Sequence, residues 1–134
     1  LKAFAKIISC EYNGDEEKFF SHPLPELRKQ LLSIYGVGNE TADDIVLYAA
    51  KKPSFVIDTY TRRIINRLGW KVDGNDYEDY QRLFTDNLKA DAKVWGEFHA
   101  QLDVHGAQVC RKVKPLCQEC VLADLCPSSK KQLD

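Results

Sequence analysis

The sequence predicts an all-α fold. Apolar residues recur at three- and four-residue spacing through most of the chain, and no stretch alternates polar and apolar residues as a strand would. Glycines and prolines fall where helices would end or begin.

Leu1, Phe4 and Ile8 define the face of a first helix ending near Asn13-Gly14, with Cys10 on the same helix as a buried apolar cysteine. Pro25 suits the first turn of a second helix, whose inner face is Leu27, Leu31 and Ile34 and whose end is Gly36. Asn39 or Thr41 caps a third helix that turns Ile45, Val46 and Ala49 inward and stops before Pro53. After the apolar connector Phe55-Val56-Ile57, Asp58 stands at an N-cap ahead of Ile64, Ile65 and Leu68, and Gly69 closes that helix. Tyr77, Tyr80, Phe84 and Leu88 mark a fifth helix, and Val94, Trp95, Phe98 and Leu102 a sixth. After Gly106 the periodicity gives way to cysteines.

A chain of 134 residues can bury a real core as one domain or as two small lobes. Its 44% hydrophobic and 29% charged residues are those of a soluble globular protein, no apolar run approaches the ~20 residues of a membrane span, and no signal peptide is evident. The absence of methionine and the start at Leu1 read as a longer protein that has lost its N-terminal part.

A net charge of -1 gives no global pull toward nucleic acid, so any such binding must be local. Six basic residues (Lys51, Lys52, Arg62, Arg63, Arg67, Lys71) lie between positions 51 and 71 against a single acid, Asp58. Charge alone fits either a binding surface or a solvated helix face.

Four cysteines are spaced Cys110-x6-Cys117-x2-Cys120-x5-Cys126 near the C-terminus. Five cysteines in all and no secretory signal disfavour disulfides. Four thiolates would also accept zinc, but zinc knuckles are usually far apart, whereas short consecutive loops suit one compact iron-sulfur cubane. The spacing ranks the cluster first and leaves zinc and free thiols open. Between the first two cysteines, Arg111, Lys112 and Lys114 sit on a loop tied at both ends. Such a loop could present cations to phosphate at little ordering cost, or merely offset nearby negative charge.

Leu31 to Ala42 has the form of a helix, a Gly36-Val37-Gly38 turn and a second helix, a helix-hairpin-helix. Glycines permit a tight turn and close approach of a ligand to the backbone, and the new helix start can bind a phosphate through its amides and dipole.

The hairpin, then Val56-Ile57-Asp58-Thr59, then the four-cysteine spacing stand in the order found in the endonuclease III (HhH-GPD) family of DNA glycosylases, which the whole chain resembles. The resemblance implies a partial helix-hairpin-helix glycosylase fold with a 4Fe-4S cluster on Cys110, Cys117, Cys120 and Cys126. It implies that Gly36, Val37, Gly38, Asn39 and Thr41, with Arg111, Lys112 and Lys114, bind the backbone of double-stranded DNA carrying a damaged base. Hairpin carbonyls in that family often hold a monovalent cation. The target base is flipped into a pocket between two lobes, and Asp58 is the catalytic carboxylate that stabilises the oxocarbenium-like sugar and orients water.

The bifunctional members carry a lysine before the Thr-Ala pair, where this chain has Glu40. A carboxylate forms no Schiff base, so the reading is a glycosylase without lyase activity. Glu40 is either a first-turn charge on its helix or a carboxylate facing Asp58 across the site. The wording of the hairpin and Asp58 segments looks most like the monofunctional 3-methyladenine glycosylases, so an alkylated purine is the expected lesion. The alternatives are an oxidised-pyrimidine or mismatch glycosylase, and a DNA-binding module without excision. The expected division is a barrel-lobe remnant at 1–52 and a cluster lobe at 53–134, in a monomeric cytoplasmic protein, nucleoid-associated if bacterial. Alone, these residues should be inactive.

Overall fold

The computed structural model describes residues 2–133, and among them there is no strand. The fold is all-α. Leu1, which opens the first apolar stripe, lies outside the described residues. The chain forms two compact units, one of Leu1–Val56 with Ala90–Gly96, the other of Ile57–Lys89 with Glu97–Asp134.

In the first unit, α1 (Lys2–Glu11) is stopped by Asn13 and Gly14, both at positive φ (52° and 80°). It buries no residue fully; Phe4, Ile7 and Ile8 only lean on the core, and Cys10 is exposed, not buried as its helix position suggests. A short α2 (Glu16–Phe20) follows, with Asp15 accepting at 3.0 Å from the Lys18 amide. Five residues are too few for a periodic signal, so the pattern does not reveal this helix. Its Phe19 is fully buried and meets Phe4 and Tyr12 edge-on, at ring centroid distances of 5.6 and 5.2 Å.

Helix α3 (Leu24–Leu32) starts with Pro25 in its first turn and buries Leu27 and Leu31 completely. With Ile34, Ala42 and Val46 they form the core of this unit. Helix α4 (Asn39–Asp44) runs into a π turn, Ile45–Ala49, closed by the Ala50 amide on the Ile45 carbonyl. The wider turn delays the next inward position, so Val46 and Leu47 are buried, Ala50 is half-buried and Ala49 is exposed.

In the second unit, α5 (Thr59–Leu68) is capped by Asp58 and closed by Gly69 in the left-handed region (φ 69°), as its sequence dictates. Ile64 and Ile65 are buried. Helix α6 (Tyr77–Thr85) begins with a capping box between Asp76 and Asp79 and buries Tyr80 and Phe84; Leu88 lies beyond its end.

Helix α7 (Ala92–Gln108) starts in the first unit, where Trp95 is buried against Phe55, while Val94 points outward at 55% exposure. In the second unit α7 buries His99 and, at Gly106, passes so close to Tyr60 that an added Cβ would lie 2.6 Å from that side chain. Two 3-10 turns (Cys117–Glu119 and Ala123–Leu125) and α8 (Pro127–Leu133) complete the cysteine region, where the sequence shows no periodicity.

Candidate functional site

The hairpin lies in the first unit. Gly36 has φ 85°, a conformation that requires glycine, and the Val37 amide turns back to the Ile34 carbonyl at 3.0 Å. Gly38 is extended (φ -97°, ψ -177°) and is itself the N-cap of α4, with no side-chain capping bond. Glycine is therefore demanded by backbone strain at position 36 only. A Cβ on Gly38 would meet nothing within 4 Å, so the surface there is open. The first helical bond runs from the Ala42 amide to the Gly38 carbonyl (2.9 Å), and the amides before it precede the helical ladder.

The sequence places the cap at Asn39 or Thr41; neither holds it. Asn39 Oδ1 accepts from Arg28 Nη2 at 3.1 Å, and Thr41 is exposed. Arg28 also donates to both oxygens of the fully buried Asp43, which takes a third bond from Ser54 Oγ at 2.5 Å. This network braces the helices on either side of the hairpin. Glu40 is exposed on the first turn of α4.

Asp58 lies in the second unit at 9% exposure, its Oδ1 accepting from the Thr61 amide at 2.7 Å. Burial works to raise its pKa, but the Thr61 amide bond and the nearby Asp103, Thr61 and His99 side chains together outweigh burial and hold the carboxyl below its ordinary value. Asp58, His99 and Asp103 bring one donor atom each to within 4.8 Å of one another. The sequence reading misses His99 and Asp103. Their signal is a His-Asp pair four residues apart on a helix with an otherwise apolar inner face.

Cys110, Cys117, Cys120 and Cys126 line one cavity with Arg67 and Leu116. Arg67 Nη1 donates to Cys110 Sγ (3.2 Å), Cys126 Sγ donates to the Arg67 carbonyl (3.2 Å), and His105 Nε2, its pKa lowered by burial, stands 3.6 Å from Cys120 Sγ. Among the described residues, the trios of His, Cys, Asp or Glu donors that close to 4.8 Å do not include three of these sulfurs. Four thiols around one cavity form the donor set that a four-thiolate metal group requires.

The basic residues divide. Arg63 donates to the Gly106 and Cys110 carbonyls, Arg67 to those of Arg111 and Lys112, and Arg62 to that of Asn75 while covering the Tyr80 ring at 4.4 Å. These guanidinium groups hold the unit together and do not form a bare cationic face. Arg111, Lys112 and Lys114 are exposed on the loop that Arg67 pins.

The described residues thus hold a hairpin between short helices, a buried carboxylate capping a helix and a C-terminal cavity lined by four cysteines. No family model matches the chain. It is 44% identical over 130 residues to a Methanocaldococcus jannaschii protein provisionally named a DNA repair glycosylase, an alignment covering 96% of this chain and 58% of that protein. It is 35% identical over 101 residues to endonuclease III of Sulfolobus acidocaldarius, covering 75% and 44%. Its fold matches the structure of a trapped endonuclease III–DNA covalent intermediate with a TM-score of 0.78 at 26% identity, covering 99% of this chain and 57% of that one. The chain belongs to the endonuclease III superfamily. It spans about half the length of the curated relatives it matches.

Proposed function

We propose that the complete protein is a monofunctional DNA glycosylase that hydrolyses the N-glycosidic bond of a damaged base, an alkylated purine, in double-stranded DNA. Asp58 carries this reading. It is a mostly buried carboxylate kept ionised by its neighbours, and a fixed negative charge is what a developing oxocarbenium sugar requires. Its carboxylate stabilises that cation and orients the attacking water. An alkylated purine is a good leaving group because it already carries positive charge, so no amine nucleophile is needed.

The hairpin from Gly36 to Thr41 grips the DNA backbone through the helix start at Gly38, with a monovalent cation on its carbonyls, and Arg111, Lys112 and Lys114 add phosphate contacts. Cys110, Cys117, Cys120 and Cys126 hold a 4Fe-4S cluster, whose contribution when bound is to lock the loop that presents those cations. The protein works as a cytoplasmic monomer; among the described residues no helix is long and apolar enough to cross a membrane. The division into a barrel-lobe remnant at 1–52 and a cluster lobe at 53–134 belongs to the same reading.

A second reading, excision coupled to strand incision, is favoured by the name endonuclease III carried by relatives at 35% and 34% identity. Glu40, in place of an amine, stands against it. An excision assay of the complete protein over a panel of alkylated, oxidised and mismatched duplexes decides between them. Release of alkylated purine leaving intact abasic sites is expected. Incision without alkali favours the second reading, and no release from any substrate leaves a DNA-binding module.

A further inference from the structure

Of the titratable groups outside the family motifs, two converge on Asp58. His99 and Asp103 sit four residues apart on α7 and so share a face. His99 Nε2 lies 3.7 Å from Asp103 Oδ1, and both belong to the cluster whose donors close to 4.8 Å around Asp58. An Asp103 carboxylate oxygen lies within 4.8 Å of one of Asp58, near enough for the two carboxyls to come into hydrogen-bonding reach, and Asp103 acts to lower the Asp58 pKa. Two carboxyls can share a hydrogen bond only if one of them supplies a proton, and two bare carboxylates this close in a half-dry site repel.

We infer that Asp103 and His99 are positioning residues for Asp58 that hold one proton between them, aim the Asp58 carboxylate and keep it the charged member of the trio. This rests on the reading of Asp58 as the catalytic carboxylate. With the proton on Asp103, its O–H donates to Asp58 and His99 is neutral. With the proton passed to His99, an imidazolium faces two carboxylates. In both arrangements the trio carries one net negative charge, and in both Asp58 is ionised.

The site is built for this. α5 offers Asp58 the Thr61 amide, while α7 offers Asp103 and His99, the titratable groups that face it. The His99 side chain is 6% exposed and that of Asp103 is 43%, so the inner member is sheltered and the outer one can exchange its proton with water. With Asp58 Oδ1 committed to the Thr61 amide, a shared proton suits the trio better than a cation that would compete for the same oxygens.

The test uses the complete protein with Asp103→Val and Asp103→Asn, circular dichroism confirming the fold. Two quantities are read: the Asp58 carboxyl ¹³C titration, assigned by its loss in Asp58→Asn, and the single-turnover excision rate against pH. Asp103→Val should raise the pH at which Asp58 ionises and slow excision about a hundredfold, the scale expected for a misaligned catalytic group, with affinity for uncleaved lesion DNA unchanged. Asp103→Asn keeps a donor, so it should recover most of that rate while altering the pH profile; it also carries the test if the valine variant does not fold. Unchanged titration and rate in both variants would overturn the inference. So would activity lost to EDTA and restored by Mn²⁺ or Zn²⁺, which would make the trio a metal site. Wild-type protein that excises nothing yet shows the Asp58 shift in Asp103→Val would sink the glycosylase reading and leave the proton-sharing trio standing.

Discussion

Arg28 on α3 meets the fully buried carboxylate of Asp43 on α4 with two hydrogen bonds, Nε to Oδ1 at 2.8 Å and Nη2 to Oδ2 at 3.1 Å. Since α3 and α4 flank the Gly36-Val37-Gly38 turn, this pair fixes the angle at which the hairpin is presented.

Breaking it should therefore cost stability first. Asp43→Ala removes both carboxylate bonds of Arg28, which keeps its bond to Asn39, and takes away the acceptor of Ser54; the loss is expected near ~3 kcal/mol, the lower end for opening a buried pair. Asp43→Asn, which still accepts, should lose less. Urea denaturation of both variants measures the difference, and an alanine variant within about 0.5 kcal/mol of wild type, the range of ordinary surface changes, would show that the pair braces nothing.

Asp58 makes stability depend on pH in a defined window. Its pKa in the folded protein is below the ordinary 3.8, so the stabilisation its charge confers is complete above that value and disappears as pH falls through the lower folded value. Asp58→Asn keeps a cap acceptor but cannot titrate. The difference in Tm between wild type and Asp58→Asn should be constant from neutral pH down to about 4 and then shift against the wild type with further acid. A difference that does not change across that window rules out the hydrogen-bonded, ionised state of Asp58.

Much of this was legible in the sequence because the informative residues act locally. Asp58 and Gly69 bound α5 as written, since a cap acceptor and a left-handed glycine serve their own helix whatever packs on it. The family motifs were equally legible, each being a short contiguous string. What local pattern could not show is where side chains from distant segments meet. Arg62, Arg63 and Arg67 read as a cationic run, yet they satisfy carbonyls at positions 75, 106, 110, 111 and 112. His99 and Asp103 lie some forty residues from Asp58 in sequence, and only the packing of α7 on α5 brings them to it. Ala49 and Val94 were misplaced for a subtler reason, that a π turn and a helix start shift the inward face by a residue or two.

The two hairpin glycines should separate folding from binding. Gly36 is left-handed (φ 85°), so Gly36→Ala strains the backbone and should destabilise by about 1 kcal/mol. Gly38 is extended with open space around it, and Asp is a good N-cap, so Gly38→Asp should leave the melting temperature equal or higher. The same carboxylate would stand where the hairpin reading puts a DNA phosphate. Its affinity for every duplex, damaged or not, should fall about tenfold or more, one lost phosphate contact plus repulsion. Fluorescence anisotropy at two salt concentrations reads this; a Gly38→Asp protein that binds as wild type would move the DNA contact off the hairpin.

Glu40 provides the sharpest test of the chemistry. A lyase needs an amine that attacks the sugar, and borohydride reduces the resulting imine to a stable link between protein and DNA. At position 40 this chain has a carboxylate, exposed on the first turn of α4. The complete wild-type protein should therefore give no trapped complex, and abasic sites should accumulate uncut until alkali is added. Glu40→Lys introduces an amine at the position the bifunctional relatives use. The change costs little stability, because an exposed cation near a helix N-terminus is unfavourable by only about 0.3–1 kcal/mol. That variant should become trappable on abasic DNA while wild type stays clear on the same gel. Efficient trapping of the wild type would refute the monofunctional reading and direct the search for the nucleophile to Lys51 and Lys52.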